Sequence, residues 1–384
     1  MTRKGSTCDN PSGMRACVFD AASPSGVKMI DTPLPRRGHR SALIKVHACG
    51  INPVDAKYIV GDKLPESWMG WAAKRATGHT PGFDFSGVVV DVRQPNSLNL
   101  KPGDEVFGFA CNPAHFVRPL THLSGSFAEY VAAPLDQIAR KATTLSHAEA
   151  AALPLVGTTA LQAMQQHGVH EGQRVLIIGA SGGVGHIAIQ VAKHLGATVT
   201  AVCSSRNAPF VVDACGADSV VTYDEGDVYE KIAADAAAAG APYDFVLDCV
   251  SSADARDQAA SYAARVRSMS PPVVAAGRGA DGHCYVVLGG ATGHWATALL
   301  KRFLGLNCFE TGFELFWIKM PGSRAVLQQL TAFAGPPVEG RPRPLKPKID
   351  TKAEFSEAAA RQAFDALRGR RTAGKIVMEV VPPE

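Results

Sequence analysis

The sequence predicts an α/β fold in two parts, a β-rich barrel followed by a doubly wound parallel sheet. Three observations carry that expectation. The early residues form short β-rich runs punctuated by proline and glycine. From Arg174 onward, aliphatic strands alternate with helical stretches. The length of 384 residues, at roughly 150 per domain, suits two domains. Hydrophobic residues make up 46% and charged residues 19%, a core-forming mixture that excludes a disordered, collagenous or coiled-coil chain.

In the first part the runs 42–51, 83–92, 104–109 and 127–133 read as strands, separated by Pro33, Pro35, Pro81-Gly82 and Pro102-Gly103. This texture suits a twisted antiparallel barrel. Over 145–164 the pattern turns helical. Ser146 with Glu149 forms a capping box, and Pro154 and Gly157 interrupt the helix before it resumes. In the second part, strands are expected at 174–179, 198–205, 219–223, 243–250 and 284–290, with helices over 183–196, around 208–215 and over 228–239. Repeated β-α-β units demand a parallel sheet. The proline-rich segment 336–349 reads as a linker or extended arm. A helix (353–368) and a strand (375–381) follow and are expected to rejoin the first part.

A small excess of Lys and Arg over Asp and Glu, 39 against 35, does not point to nucleic acid. The nine cysteines are scattered, without a Cys-x-x-Cys pair, so neither a disulfide framework nor a zinc knuckle is suggested, and reduced thiols in an intracellular compartment are expected. Residues 1–13 read as a loose, disordered tail. Cytoplasmic residence is expected, with a mitochondrial or plastid address left open. No stretch has the apolar length of a membrane span. The most apolar late segment, 298–320, is broken by Lys301, Arg302, Glu310, Glu314 and Lys319 and reads as core, lid or subunit interface.

The strongest local signal is Gly179-Ala180-Ser181-Gly182-Gly183-Val184-Gly185, directly after an aliphatic strand and opening a helix. Residues without a Cβ let the backbone approach a pyrophosphate, which meets the free N–H groups and positive dipole of the helix start. A dinucleotide site is expected at Ser181, Gly182, Gly183 and Val184. An NAD site wants an acid at the end of the next strand; here the chain reads Cys203-Ser204-Ser205-Arg206. Two hydroxyls and a guanidinium suit a 2′-phosphate, so NADPH is the expected cofactor, with Tyr223 closing the pocket. The other reading of Arg206 is an exposed charge at a helix entry.

Seven blocks then carry a family resemblance: ACGINPVDAK (48–57), GFDFSGVVVDV (82–92), KPGDEVFGF (101–109), GSFAEYVAAP (125–134), AAALPLVGTTALQA (150–163), GASGGVGHIAIQVAKHLGATV (179–199) and GKIVMEV (374–380). Residues 14–384 resemble the medium-chain dehydrogenase/reductase superfamily, most closely its zinc-independent quinone oxidoreductase and alkenal (enone) reductase branch. The resemblance implies a GroES-like catalytic domain over 14–155, a Rossmann NADP-binding domain over 156–338, and a C-terminal segment, 339–384, returning to the catalytic domain. It also implies a homodimer. Zinc-dependent relatives carry Cys where this chain has Asn52, and Gly-His-Glu where it has Gly82-Phe83-Asp84; neither Asn nor Phe supplies a zinc ligand. No metal is expected, and His79, His115, His122, His167 and His170 are read as surface or core residues.

A metal-free cleft beside a reduced nicotinamide suits an acceptor already activated by conjugation, a quinone or an α,β-unsaturated carbonyl. The resemblance places Asn52 against nicotinamide and substrate, and matches Lys57 to a lysine of alkenal reductases that binds the carbonyl oxygen or relays a proton. Asp55 is read with them as a catalytic-site residue that positions the turn; Tyr58 is an alternative acid. The bland readings are a turn-forming Asn-Pro and a solvated lysine. The resemblance places Thr158 near the nicotinamide ribose, Cys249, Val250, Gly289 and Gly290 beside the nicotinamide half, and Lys375 close to the cofactor; Phe127 is read as barrel core. Two rival functions stay open: an enoyl reductase of a biosynthetic pathway, and a catalytically silent NADPH-binding or structural protein.

Overall fold

The computed structural model describes residues 13–20, 22–23, 26–56, 77–110, 125–251, 262–275, 284–288, 314–316 and 318–381. The N-terminal tail over 1–12, Lys57, Tyr58, His115, His122, Gly289 and Gly290 lie outside the described residues, as does most of the apolar segment 298–320.

Two sheets organise the chain. The first is built from β3 (Ser41–Ile51), β4 (Asp84–Val92), β5 (Glu105–Phe109), β6 (Tyr130–Pro134), β7 (Ile138–Arg140), β14 (Ile349–Glu354) and β15 (Lys375–Glu379), in the order β14-β15-β3-β4-β5-β7, with β6 also on β3. A separate antiparallel pair, β1 (Met14–Phe19) and β2 (Val27–Thr32), is tied to it by the Ala16–Ala128 bridge. The late strand β15 lies antiparallel on β3, Ile376 facing Ile51 and Glu379 facing Ala48. The alternation of apolar residues along these strands buries Ile44, Phe85, Val106, Ile138 and Met378 in one core, which Phe127 and Phe364 join from outside the strands.

The second sheet has the order β10-β9-β8-β11-β12-β13, from β8 (Arg174–Ile178), β9 (Thr198–Cys203), β10 (Ser219–Thr222), β11 (Phe245–Asp248), β12 (Tyr285–Val287) and β13 (Glu314–Leu315). Every pairing in it is parallel. Strands flanked by helices on both faces must be apolar throughout, and Val175, Leu176, Ile177 and Ile178 are all buried. The order doubles back between β8 and β11, leaving a crevice beyond their carboxyl ends. No helix among the described residues is long and apolar enough to cross a membrane.

The helices refine the sequence reading. The capping box at Ser146 opens α2 (His147–Ala151), and Pro154 starts α3 (Pro154–Gln166), α1 being the short Pro53–Ala56 turn. Gly157 does not interrupt α3. It sits inside it, where a Cβ would press 2.7 Å from Leu330 Cδ1. The glycine loop leads into α4 (Gly185–His194). The helix expected around 208–215 is a single π-turn, Phe210–Ala214, entered through Pro209 and followed by Gly216 at φ 83°. Helix α5 (Val228–Ala238) is capped by the Asp227 side chain, α6 covers Tyr262–Arg267 and α7 Arg324–Phe333. Residues 353–356 extend β14 and cap the last helix rather than opening it: α8 is Glu357–Arg368, begun by the Ser356 side chain accepting from Ala359 N–H.

Candidate active site

The crevice is shaped by its glycines. Gly179 ends β8 at φ 77°, and a Cβ there would strike Val250 Cγ2 on the loop after β11. A Cβ on Gly185 would strike the Gly179 carbonyl and lie 2.7 Å from Ala180 Cα. Strand, turn and helix start can approach this closely only without side chains. The loop is then tied on two sides: Gly374 N–H donates to Ser181 O at 3.0 Å, and Asn207 Nδ2 donates to Ser181 Oγ at 3.1 Å. A Cβ on Gly183 would lie 3.3 Å from Lys375 Cδ, so the lysine stem runs beside the loop.

At the far end of that stem is a buried polar cluster. Lys375 Nζ donates to Asn52 Oδ1 at 2.6 Å and to Ile51 O at 3.2 Å, and lies 3.8 Å from Asp84 Oδ2. Asn52 Nδ2 donates to the same Asp84 oxygen at 3.0 Å. Leu155 N–H donates to Asp84 Oδ1 at 3.0 Å, and Asn52 N–H to Asp55 Oδ2 at 2.8 Å. All four side chains are buried. The turn Asn52-Pro53-Val54-Asp55 follows β3, Asp84 begins β4 and Lys375 begins β15, so adjacent strands of one sheet bring the group together.

Burial without water raises the cost of charge. It pushes the Asp55 carboxyl up to about 8, against the pull of the Asn52 N–H bond. Asp84 is pushed up to about 6 by burial, held back by Lys375, Asn52 and Leu155. Burial also draws the Lys375 ammonium down, while Asp84 and Asp55 resist. At neutral pH Asp55 therefore keeps its proton, and Asp84 is the carboxylate that faces Lys375. Among the described residues, Asp55 Oδ1 and Thr158 Oγ1 are buried without a hydrogen-bond partner.

The loop after β11 is braced from beneath. Asp248 accepts from Val250 N–H at 2.9 Å, Ser251 N–H at 2.8 Å, Ser251 Oγ at 2.5 Å and Tyr285 Oη at 2.8 Å. This holds Val250 against Gly179. Burial, with Asp248 nearby, pushes the Cys249 thiol far up, so Cys249 offers a wall and not a nucleophile. Phe127 is fully buried in the core of the first sheet.

The other end of the crevice is exposed. Ser204 is buried and Arg206 exposed, while Tyr223 is 50% exposed, its N–H donating to Cys203 O. Arg206 Nη2 reaches Arg371 O at 3.5 Å, and Arg370 Nη2 donates to Val250 O at 2.7 Å. The 370–371 turn thus borders this edge. The sequence reading missed one group here. Asp224 accepts from Ser205 N–H at 2.8 Å and Ser205 Oγ at 3.0 Å. An acid is present after all, supplied by the segment after β10 and not by β9, and the Ser205 hydroxyl that was expected to donate to a phosphate is engaged by it.

The structure therefore brings Asn52, Asp55 and Lys375 together, and Ser181, Gly182, Gly183, Val184, Val250 and Lys375 around one loop. It gathers Ser204, Ser205, Arg206 and Tyr223 at the outer edge. Asp84, to which the sequence reading gives no role, enters the cluster as the partner of Asn52 and Lys375. Its signal was its place in Gly82-Phe83-Asp84, where zinc-dependent relatives carry an acid. Among the described residues no group of three His, Cys, Asp or Glu could hold a metal ion.

The glycine turn at the switch point, with buried Thr158 Oγ1 unpartnered, fits a dinucleotide. Comparison with known proteins agrees. Residues 38–143 match the alcohol dehydrogenase GroES-like domain, and residues 183–266 match the zinc-binding dehydrogenase family. A chloroplastic quinone oxidoreductase, QR1 of Triphysaria versicolor, is 33% identical over 250 residues, covering 62% of this chain and 68% of that protein. The chain belongs to the medium-chain dehydrogenase/reductase superfamily, in its zinc-independent quinone oxidoreductase branch. A trans-enoyl reductase, pgmF of Aspergillus terreus, is 35% identical over 257 residues, covering 62% of this chain and just under two thirds, 65%, of its own length. The crystal structure of a quinone oxidoreductase from Coxiella burnetii superposes with a TM-score of 0.67 at 28% identity, over 96% of this chain and 100% of that one. The chain spans about half to two thirds of the length of the curated relatives it matches, and it has the GroES-like and Rossmann parts of the family.

Proposed function

We propose that this enzyme uses NADPH to reduce a quinone or the β-carbon of an α,β-unsaturated carbonyl, without zinc. The observation that carries the reading is the Lys375–Asn52–Asp84 cluster beside the glycine loop, in a chain with Phe83 where metal-using relatives carry an imidazole. When bound, the dinucleotide supplies the hydride. Ser181, Gly182, Gly183 and Val184 hold its pyrophosphate, with Thr158, Cys249 and Val250 beside the nicotinamide half; Ser204, Arg206 and Tyr223 hold the adenosine end. Arg206 and the neighbouring 370–371 arginines favour a 2′-phosphate, and Asp224 opposes it.

The protein's own part is positioning and electrostatics. Asn52 is clamped at both ends of its carboxamide, by Lys375 at Oδ1 and Asp84 at Nδ2, so it forms a rigid wall. A conjugated acceptor develops negative charge on oxygen as hydride arrives, and a nearby ammonium lowers that barrier. Lys57 is our candidate for this donor and for the proton passed to the α-carbon, with Asp55 holding the turn at 52–55 through the Asn52 N–H bond. We also place the enzyme in solution as a homodimer.

The deciding experiment measures NADPH and NADH oxidation against a panel of enals, enones, quinones and enoyl thioesters. We expect turnover with NADPH and a conjugated acceptor; preference for NADH, or no turnover with any acceptor, overturns the reading. The likeness to a trans-enoyl reductase supports a second reading, an enoyl reductase working on carrier-bound acyl chains. In that case enoyl thioesters outpace free enones and quinones.

A further inference from the structure

His186 is the second residue of α4, fully buried, and takes no part in the chemistry above. Its ring lies between two backbones. Nδ1 is 2.8 Å from Gly182 O in the glycine loop, and Nε2 accepts from Lys348 N–H at 3.2 Å. A carbonyl can only accept and an amide N–H can only donate, so these partners assign the neutral tautomer protonated at Nδ1. Burial agrees, holding the imidazole down to about 4. One turn on, Gln190 grips the same strand of chain: Nε2 donates to Lys346 O at 3.1 Å and Oε1 accepts from Lys346 N–H at 2.8 Å. Lys348 O in turn accepts Lys375 N–H at 2.9 Å. A continuous path of hydrogen bonds thus joins the glycine loop, through His186 and the Lys348 peptide, to the residue whose ammonium holds Asn52.

We infer that His186 is a positioning residue with two separable duties: through Nδ1 it sets the carbonyl of the phosphate-binding loop, and through Nε2 it sets the 346–348 arm that seats Lys375. The inference rests on the dinucleotide lying on the glycine loop. The two ring nitrogens can be replaced one at a time. His186→Asn puts an amide donor near the Nδ1 position and leaves Lys348 without an acceptor. His186→Gln reaches toward the Nε2 position and leaves Gly182 O without its side-chain donor.

The experiment titrates NADPH and NADH into ligand-free wild type and both variants by calorimetry, then measures kcat at saturating cofactor. His186→Gln is expected to weaken NADPH binding about tenfold with kcat within about twofold. His186→Asn is expected to bind within about threefold of wild type and to lose kcat about tenfold. Wild-type values in both variants, or equal losses of binding and kcat in both, overturn the inference. If either variant fails to fold, Gln190→Met releases the same arm from α4, and an unchanged kcat there overturns the arm duty. A wild-type protein that binds neither dinucleotide overturns the reading of the glycine loop itself, and this inference with it.

Discussion

The two ends of the crevice are built on opposite principles. At the inner end, Asn52, Asp55, Asp84 and Lys375 are buried, each bonded to another of the four, and their charges are set by that burial. At the outer end, Ser205, Arg206, Tyr223 and Asp224 meet solvent, where charges are screened and a single ion pair is worth little. The contrast teaches where substitutions register: inside, on stability and turnover together; outside, on the choice of dinucleotide alone.

The largest effect is expected from Lys375→Met. Removing one partner from a buried ion pair costs about 3–5 kcal/mol, and the penalty should grow with pH, because the stranded Asp84 and Asp55 can take protons in acid but not in base. Chemical denaturation at pH 5 and pH 8 measures it. A loss equal at both pH values would mean that the lysine acts only through packing.

Asp55→Asn sharpens the same point with a smaller shift. Folded Asp55 keeps its proton up to about 8, whereas an ordinary aspartate loses it near 3.8. The folded state therefore binds the proton more tightly, and this residue's contribution falls as pH rises through that window. Asparagine still accepts the Asn52 N–H bond and has no proton to lose. The Tm of the variant relative to wild type should climb between pH 5 and pH 8.

At the outer end, Arg206→Ala should lower the preference for NADPH over NADH by about tenfold, a loss of the order of one charge-assisted contact, with little change in Tm. Asp224→Asn should raise that preference a few-fold by removing the opposing carboxylate. Binding titrations in low and high salt check both, since the effects should shrink as salt screens them. A large stability loss in either variant would break the contrast between the two ends.

The strands and the glycine turn were legible because they depend on local pattern: aliphatic runs, and glycines where a Cβ cannot fit. Boundaries slipped where a local signal competed with a distant one. Gly157 reads as a helix breaker, yet it is retained inside α3 by the approach of Leu330. Ala353 and Glu354 look helical, yet they pair with β15. Lys375 and Asn52 are 323 positions apart, and no spacing rule connects them. Asp224 was hidden because an acid was sought at the end of β9, and the next segment supplied it. His186 carries no motif signal; its role comes from a backbone amide of a remote arm.

β15 inserts between β14 and β3, although β3 is made early and β15 near the end of the described chain. During synthesis, every strand of the parallel sheet leaves the ribosome before the barrel receives this inner strand. Until then Asn52 and Asp84 face a vacant lane, without the ammonium that balances them. The parallel-sheet half can therefore mature first, and the charge-balanced centre forms only once β15 has been made.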